Sequence, residues 1–315
     1  MATETTRNAG NTRLRIIYLD QTPSTNNYAT ALLAVREAEE GCLVWTQRQT
    51  RGRGYGQNVW ESEAGKNLTF SLILEPRFLE ASRQFQLSQV ISLGLADFLA
   101  GKTGQEACCG PDVPEVRHSL NPGEFQSNHV GGEARHTPAS GEGQDAPEGR
   151  ELRPQFANRV TIKWPNDIYA GNRKIAGILI ENSVMGDHLR WTVAGVGLNV
   201  NQESFPSHLP QAVSLRMLTG REYDLKECLT ELASAILVWY DRLALGDVGA
   251  IGDRYLALML GREEYRTYRQ GDRLFRAVVE GVDEFGQLRL RDERGHTTVW
   301  PFKSIEWVGE AQPPA

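Results

Sequence analysis

A glycine-rich loop carries the first side chains whose types suggest chemistry. It runs from Gln49 to Trp60 and reads QTRGRGYGQNVW, with glycine at positions 52, 54 and 56. Glycines let backbone amides approach an anion closely, and Arg53 adds a planar fork of hydrogen-bond donors. The loop matches neither the G-x-x-x-x-G-K-S/T phosphate loop nor a G-x-G-x-x-G segment that opens a helix. It predicts an anion site of another design; an ordinary surface loop and an arginine–glycine tract for nucleic acid are the alternatives.

A second candidate is the segment Lys163-Trp164-Pro165-Asn166-Asp167, which ends a predicted strand with an amide and a carboxylate. Lys174 follows seven residues after Asp167 and opens the next strand. A turn between the two strands brings the carboxylate and the ammonium group close together. The alternative is structural: an aspartate that closes a turn and a lysine on an edge strand.

A third candidate is the end of a predicted buried strand, Ala194 to Asn201, which reads AGVGLNVN. Glycines inside a strand indicate that another group approaches the backbone closely. That group is either a ligand or a neighbouring helix, and the sequence favours neither.

The elements that must position these residues follow from hydrophobic spacing, caps and turns. The pattern predicts two helices and two strands before residue 103: a helix from Ser24 or Thr25 to Gly41, strands Cys42–Thr46 and Leu68–Leu74, and a helix Gln86–Ala100. Later elements are strands Thr161–Trp164, Lys174–Glu181 and Trp191–Val200, with turns at Gly171-Asn172 and Gly186-Asp187, then a helix Leu225–Leu243. Short connections predict an α+β fold with a mixed, largely antiparallel sheet, helices packed on it, and a small C-terminal β-barrel.

Composition excludes several classes of protein. The chain has 315 residues, and 40% of them are hydrophobic, which is enough for a packed core. Its net charge of −6 is unfavourable for binding nucleic acid over a large surface. The four cysteines lack C-x-x-C spacing, which argues against a disulfide framework or a zinc ribbon. The amino end has no apolar leader and no long apolar run follows, so we expect a cytoplasmic protein without membrane spans.

Three segments divide the chain. Residues 1–13 are predicted to be a disordered tail, residues 14–261 a catalytic domain and residues 262–310 the small β-barrel. Within the catalytic domain, residues 103–158 contain 8 of the 31 glycines and 6 of the 14 prolines, which predicts a disordered insertion. The insertion also holds His118, His129, His136, Cys108 and Cys109; a metal site is the alternative to a surface loop.

Taken together, the motifs resemble those of biotin protein ligases in order and spacing, from about Leu14 to Leu243. The matching elements are Ser24-Thr25-Asn26, Gln49 with Gly52-Arg53-Gly54, Lys163 to Asp167, Arg173 to Leu179, Gly197 to Asn201, and Ala212 to Leu215. The resemblance implies a core like that of class II synthetases. It also implies ATP-dependent formation of biotinyl-5′-AMP, followed by transfer of biotin to one lysine of a biotin carboxyl carrier domain of acetyl-CoA carboxylase or a related carboxylase.

The resemblance also implies roles for individual residues. Lys174, Arg53 and Asp167 would be catalytic. Biotin would be bound by Ser24, Thr25, Asn26, Gln49, Gly52, Arg53, Gly54, Tyr55 and Lys174. ATP and the adenylate would contact Trp60, Asn166 and Asn199, and Mg²⁺ would be held mainly by the phosphates, without a protein metal cage.

The sequence departs from the family pattern at Tyr55, where a second basic residue is usual, and at Gln57, where glycine is common. A loop without that cation is expected to release the adenylate more readily, unless Arg51 or Lys66 substitutes. Only 23 residues precede Ser24, so we expect neither a DNA-binding domain nor a DNA partner. A homodimer through the edge of the sheet is left open.

Two alternatives share these residues. A lipoate-type ligase uses the same adenylate strategy, but Arg53-Gly54 and the Trp164 to Asp167 segment favour biotin. A non-catalytic protein that binds or senses biotin is the other, and Tyr55 is the feature that suggests it.

Overall fold

One large mixed sheet forms the centre of the molecule. We describe it from a computed structural model that covers residues 3–9, 12–54, 56, 58–104, 159–262 and 264–308, with side chains from Leu14 onward. The sheet has eight strands in the order β1-β2-β3-β4-β8-β7-β6-β5. The strands are β1 Thr3–Ala9, β2 Thr12–Thr22, β3 Cys42–Gln49, β4 Leu68–Leu74, β5 Val160–Lys163, β6 Asp167–Ala170, β7 Arg173–Met185 and β8 His188–Leu198.

The connections explain why the sheet is mixed. β2 and β3 are parallel, and helix α1, Thr25–Ala34, makes the crossover that a parallel pair requires. The other neighbouring strands in the sheet are antiparallel. The predicted α+β class with a largely antiparallel sheet is confirmed.

The central strand β4 is buried on both faces. Leu68, Phe70 and Leu72 point into the main core, where helices α2, Phe85–Thr103, and α4, Leu225–Ala244, cover the sheet. The alternate residues point to the opposite face, where Ile73 packs with Ala29 of α1. This explains why an isoleucine interrupts the alternation of the strand.

Two short helices complete the part of the chain that precedes the C-terminal sheet. Helix α3, Leu215–Thr219, begins after Ser214, whose side chain accepts a hydrogen bond from the Met217 amide. Helix α5, Val248–Leu258, packs against α2 and brings the buried Tyr255 to Phe85, with ring centroids 5.7 Å apart. Neither helix was predicted from the sequence.

The C-terminal part is an open antiparallel sheet, so the prediction of a closed barrel was wrong. Its order is β12-β11-β10-β9-β13, and in the described residues no ladder joins the outer strands. The strands are β9 Arg266–Gln270, β10 Arg273–Val282, β11 Leu288–Asp292, β12 Thr297–Trp300 and β13 Glu306–Val308. The segment between the outer strands packs against the turn between β5 and β6, where Phe302 stacks on Trp164 with ring centroids 5.1 Å apart.

Other differences from the sequence prediction concern boundaries and missed strands, among them β2, Thr12–Thr22, which was not predicted. Helix α1 ends at Ala34 rather than at Gly41, and Arg36 already has a positive φ of 61°. Strand β6 was missed because a single turn at Gly171-Asn172 was expected between the predicted strands Thr161–Trp164 and Lys174–Glu181, whereas the chain turns twice there. Thr3–Ala9, placed in the predicted disordered tail, pair with β2, and α2 extends to Thr103. The rest of the predicted insertion, from residue 105, lies outside the described residues.

Two glycines of α2 give a matched test of helix packing. A Cβ atom at Gly94 would lie 2.6 Å from Cα of Ile236 in α4, whereas one at Gly101 would meet nothing within 4 Å. Gly94→Ala should lower the free energy of unfolding by about 1–3 kcal/mol because the helices must separate. Gly101→Ala should raise it by up to about 1 kcal/mol, since alanine favours helix.

Urea denaturation of both variants measures the two changes. A Gly94→Ala protein as stable as the wild type would show that α2 and α4 separate without cost, contrary to this packing.

Candidate active site

A cavity of about 430 Å³ lies on the α1 face of the sheet, at the end of the strands that carries the sequence motifs. Its walls include Thr25, Gln49, Arg53, Asp167 and Lys174. The C-terminal sheet supplies the opposite wall with Arg266, Tyr268, Lys303 and Trp307. The structure therefore brings most of the predicted site residues to one place, although they come from four separate stretches of sequence.

The floor of the cavity is backbone rather than side chain. Gly177 and Gly197 are direct partners in the β7–β8 ladder, and Gly195 lies two residues away on the same face. A Cβ atom at Gly197 would lie 2.2 Å from Cε2 of Trp60, and one at Gly195 would lie 2.3 Å from Oδ1 of Asn26. The helix interpretation is therefore confirmed at Gly195, where Asn26 of α1 approaches the backbone. At Gly197 the group that approaches is Trp60 of the glycine loop, and the ligand interpretation stays a prediction.

A buried polar network positions the start of α1. The Thr25 amide donates a hydrogen bond to Gln49 Oε1 at 2.8 Å, and Thr25 Oγ1 lies 3.2 Å from the same oxygen. Ser71 Oγ lies 2.8 Å from Thr25 Oγ1 and 2.6 Å from Asn26 Oδ1. Ser24 occupies the N-cap position of α1 but its side chain makes no capping hydrogen bond. The network thus fixes three of the predicted biotin residues beside the glycine floor.

The glycine loop is closed at its base. The Gly54 amide donates to the Asn58 carbonyl at 2.8 Å, and Arg53 bridges to Val59. A Cβ atom at Gly52 would lie 2.2 Å from the Trp60 carbonyl oxygen, so only glycine fits there. Tyr55 and Gln57 lie outside the described residues.

The guanidinium of Arg53 is held at the cavity wall by two partners. It forms an ion pair of 3.0 Å with Glu181 and a hydrogen bond of 2.9 Å with Asn27 Oδ1. Glu181 Oε2 also accepts a hydrogen bond of 2.8 Å from Asn26. Glu181 is therefore the carboxylate that orients both residues, and sequence reasoning missed it because it lies inside a strand with no local signal.

Lys174 and Asp167 form the ion pair that the sequence predicted, with Nζ 2.7 Å from Oδ1. The backbone of Lys174 is fixed from the other side, since its amide donates to the Gln211 carbonyl and its carbonyl accepts from the Val213 amide at 3.0 Å. A register shift between Ile168 and Tyr169 lies next to this pair. Such irregularities re-aim side chains, here near the cavity.

The segment from Lys163 to Asn166 is mainly a joint between the two sheets. Trp164 Nε1 donates to the Gly286 carbonyl of the C-terminal sheet at 2.8 Å. Asn166 Nδ2 donates to the Ile178 carbonyl at 2.7 Å, so its amide is committed to β7. Lys163 Nζ lies 4.8 Å from the Trp307 ring centroid, and burial is the main reason that its pKa is lowered.

Trp60 separates the large cavity from a second one of about 350 Å³. Val59, Trp60 and Lys174 line both cavities, and the Lys174 ammonium lies 5.9 Å from the Trp60 ring centroid. The second cavity is also lined by Asn199, whose Nδ2 donates to the Val213 carbonyl at 3.1 Å. Asn199 Oδ1 is buried without a hydrogen-bond partner in the described residues. The geometry therefore offers two adjoining compartments with one shared cation.

The C-terminal wall was not predicted from the sequence. Burial raises the pKa of the Tyr268 phenol to about 12, although Arg266 opposes the shift, so this wall presents a neutral hydroxyl at ordinary pH. Arg266 pairs with Glu264 and lies 4.9 Å from the Trp307 ring centroid. No local pattern in the sequence marks these residues, because the contacts that bring the C-terminal sheet to the cavity join distant segments, such as the hydrogen bond from Trp164 to Gly286 across 122 positions.

Comparison with known proteins places this geometry in a family. Residues 18–199 match the model of the biotin/lipoate A/B protein ligase family. The bifunctional ligase/repressor BirA of Bacillus spizizenii is 30% identical over 283 residues, which cover 89% of this chain and 70% of that protein. The chain belongs to the biotin protein ligase family. The resemblance inferred from the motifs is confirmed.

Other members of the biotin protein ligase family agree with this assignment. A biotin–acetyl-CoA-carboxylase ligase of Paracoccus denitrificans is 27% identical over 285 residues, covering 89% of this chain and 96% of that protein. The structure of a biotin protein ligase from Aquifex aeolicus in complex with biotin and ATP has a TM-score of 0.63 at 22% identity, covering 92% of this chain and 97% of that chain. The structural likeness supports the fold.

The described residues hold neither a metal-binding cluster nor a membrane-spanning helix. They contain no group of three or more His, Cys, Asp or Glu side chains that could hold a metal ion. Within the same residues, no helix is both long enough and apolar enough to cross a membrane. The histidines of the predicted insertion lie outside this part of the chain.

Two buried serines test the polar network beside the glycine floor. Ser71 and Ser92 are both 0% exposed, but in the described residues Ser92 Oγ has no hydrogen-bond partner. Ser71→Ala should lower the free energy of unfolding by about 1–3 kcal/mol, because Thr25 and Asn26 lose a buried partner. Ser92→Ala should change it by less than about 0.5 kcal/mol, since no bond is lost.

Thermal or urea unfolding of the two variants measures the contrast. Equal effects of the two substitutions would contradict the network as described.

Proposed function

We propose that this biotin protein ligase activates biotin with ATP and transfers it to a lysine of a biotin carboxyl carrier domain. The observation that carries the proposal is the pair of adjoining cavities that meet at Lys174 and Trp60. A reaction that joins two anionic substrates needs two compartments with fixed positive charge between them. Relatives whose names specify biotin ligation support this choice of substrates.

The large cavity is the proposed biotin site. Thr25 and Gln49 supply hydrogen-bonding groups at its inner end, and the biotin ureido ring carries both donors and acceptors to match them. The glycine floor leaves room for the ring system. The loop from Gly52 to Gly54 would close over the valeryl chain, whose carboxylate would then point toward Lys174.

The second cavity is the proposed ATP site. Trp60 and the apolar residues around Leu209 offer flat surface for adenine, and Asn199 Oδ1 offers an acceptor for its exocyclic amine. The α-phosphate would lie toward Lys174. Asn166, whose amide is bound to β7, would act by shaping the Lys163 to Asp167 segment rather than by contacting adenine.

In the first step, a carboxylate oxygen of biotin attacks the α-phosphorus of ATP. The bond from the α-phosphorus to the bridging oxygen breaks, and pyrophosphate leaves with its electron pair. Lys174 would neutralise charge where the two anions meet, which is the main obstacle to the reaction. Mg²⁺ would be held mainly by phosphate oxygens, and Asp167 provides the kind of oxygen ligand that this ion prefers.

In the second step, the amine of the carrier lysine attacks the carbonyl carbon of the mixed anhydride, and AMP leaves. A free lysine has a pKa of about 10.4, so a base must accept a proton or orient the neutral amine. Asp167 is the carboxylate on the cavity wall beside Lys174 and is the proposed base. Its ion pair with Lys174 would loosen once the adenylate phosphate competes for the ammonium group.

Arg53 must leave Glu181 before it can bind a substrate anion. It is bound to Glu181 in this structure, so contact with the biotin carboxylate or with phosphate requires the loop to move. The biotin carboxylate or a phosphate would replace the Glu181 carboxylate at Arg53, so the guanidinium would keep an anionic partner throughout. Arg53 would then clamp the adenylate from the side opposite Lys174.

Lys174→Met is expected to reduce biotin-dependent pyrophosphate release by at least about 100-fold, since it removes a preorganised charge at the meeting point of the substrates. Lys226→Met is the matched control, because Lys226 is exposed on α4 away from both cavities. The assay measures pyrophosphate with biotin or lipoate, with and without a carrier domain.

The outcomes of that assay distinguish the proposed biotin ligase from a lipoate-type ligase and from a non-catalytic protein that binds biotin. Release with lipoate in place of biotin would make the chain a lipoate-type ligase. Tight biotin binding without pyrophosphate would favour a biotin sensor and overturn the ligase proposal.

Asp167→Asn is expected to slow transfer from preformed adenylate by about 100-fold or more, because a general base is lost. Raising the pH from 7 to 9 increases the neutral fraction of a free lysine by about 100-fold, and should restore the variant more than the wild type. Single-turnover transfer to the carrier measures both effects. A variant that transfers biotin at the wild-type rate at pH 7 would remove Asp167 from the mechanism.

A further inference from the structure

Two segments that lie far apart in the sequence form the rim of the second cavity. One follows the glycine loop, from Val59 to Glu61, and the other, residues 205–212, belongs to the connection between β8 and α3. Glu61 Oε1 lies 3.1 Å from His208 Nε2, so the two segments touch across the cavity. The Glu61 and His208 side chains are 47% and 60% exposed, which places their contact where the cavity meets solvent.

The two segments are also joined at their base, through the buried side chain of Gln202. Gln202 is 6% exposed, and its Oε1 accepts hydrogen bonds from the Glu63 amide at 3.2 Å and from Asn67 Nδ2 at 2.6 Å. Buried hydrogen bonds are costly to break, whereas an exposed ion pair contributes little to stability. The rim therefore has a firm base at Gln202 and a weak outer contact, and the outer contact opens first.

The second segment continues into the backbone around Lys174. The Ala212 amide donates to the Leu209 carbonyl at 3.1 Å, and the Gln211 carbonyl accepts from the Lys174 amide at 2.6 Å. Hydrogen bonds thus connect the residues that follow His208 to the cation shared by both cavities. Opening of the outer contact needs only the rotation of two exposed side chains, so these bonds and the glycine loop can stay in place.

A second histidine–carboxylate contact differs from this one in its place. His188 Nδ1 lies 2.6 Å from Asp187 Oδ1, but the two residues are neighbours in the turn between β7 and β8 and line neither cavity. Their contact therefore joins no separate segments. Among the described residues, His208 is the only histidine that lines either cavity.

We propose that the Glu61–His208 contact is a clasp, which closes the mouth of the second cavity and limits how fast nucleotide enters and leaves. The inference rests on the proposed function, in which ATP occupies that cavity. An imidazole donates such a hydrogen bond in its neutral and in its charged form, so the clasp does not depend on protonation of His208. The clasp forms over the empty and the filled cavity alike, and it therefore slows entry and exit by the same factor.

The test measures nucleotide exchange in the full-length protein. It compares the wild type with Glu61→Ala, with His208→Ala, with the double variant and with His188→Ala, which is the matched control. ATP with a fluorophore on its γ-phosphate is mixed with the protein, Mg²⁺ and biotinol, an alcohol analogue of biotin that lacks the carboxylate and cannot react. Stopped-flow fluorescence gives the association rate, and a chase with unlabelled ATP gives the dissociation rate.

Glu61→Ala and His208→Ala should each raise both rates about two- to fivefold, as expected for the loss of one exposed pair, and should leave the affinity for ATP within about twofold. The double variant should exchange nucleotide no faster than either single variant, because the same contact is removed only once. His188→Ala should match the wild type. All variants should bind biotin with wild-type affinity, since neither Glu61 nor His208 lines the large cavity.

The outcomes separate this inference from the proposed function. A wild-type protein that binds no ATP overturns the proposed function and the clasp with it. A wild type that binds ATP, with single variants that exchange it at the wild-type rate, overturns the clasp alone. Faster dissociation without faster association would show that these side chains hold the nucleotide directly, and acceleration by only one of the two substitutions would show that they act separately. Either result would also overturn the clasp.

Discussion

The close approach of Trp60 to the backbone of two paired strands is the constraint on which the site depends. Gly177 and Gly197 face each other across β7 and β8, and a Cβ atom at Gly197 would lie only 2.2 Å from the indole of Trp60, whereas one at Gly177 would lie 3.4 Å from it. The position of Trp60 fixes the end of the glycine loop, divides the two cavities and sets the wall beside Lys174. A methyl group at Gly197 would therefore displace the indole and disturb the loop and both compartments together.

The same face of the sheet explains how a folding surface becomes a binding surface. Near Ile73 and Val193 it is apolar and packs against α1. Two residues further along, Ser71 and Gly195 replace those side chains with a hydroxyl and bare backbone. The change from large to small residues along two strands is what opens the cavity. α1 covers the apolar part and presents its polar first turn to the rest.

Sequence reasoning located this site because its residues lie in short motifs at strand ends and in one loop. The Asp167–Lys174 pair was predicted because a turn had to bring the two residues together. Lys174 Nζ lies 2.7 Å from Asp167 Oδ1 in the structure. Glu181, Ser71 and the C-terminal wall were not predicted, since their roles depend on contacts between distant segments. The open C-terminal sheet was missed for the same reason: strand lengths and turns do not show that Phe302 docks on Trp164.

Trp164 connects the large sheet to the C-terminal sheet. One edge of its indole donates to Gly286 and one face stacks on Phe302, while the next three residues lead to Asp167. The C-terminal sheet thus forms one wall of the cavity that is the proposed active site and helps to position the segment that leads to Asp167. A chain without the C-terminal sheet would keep the proposed site residues from Ser24 to Asn199. It would lose the contacts that hold Trp164, and with them the position of Asp167 relative to the other residues. Substitutions in the C-terminal sheet, which was expected to be a separate barrel, should therefore impair the proposed active site.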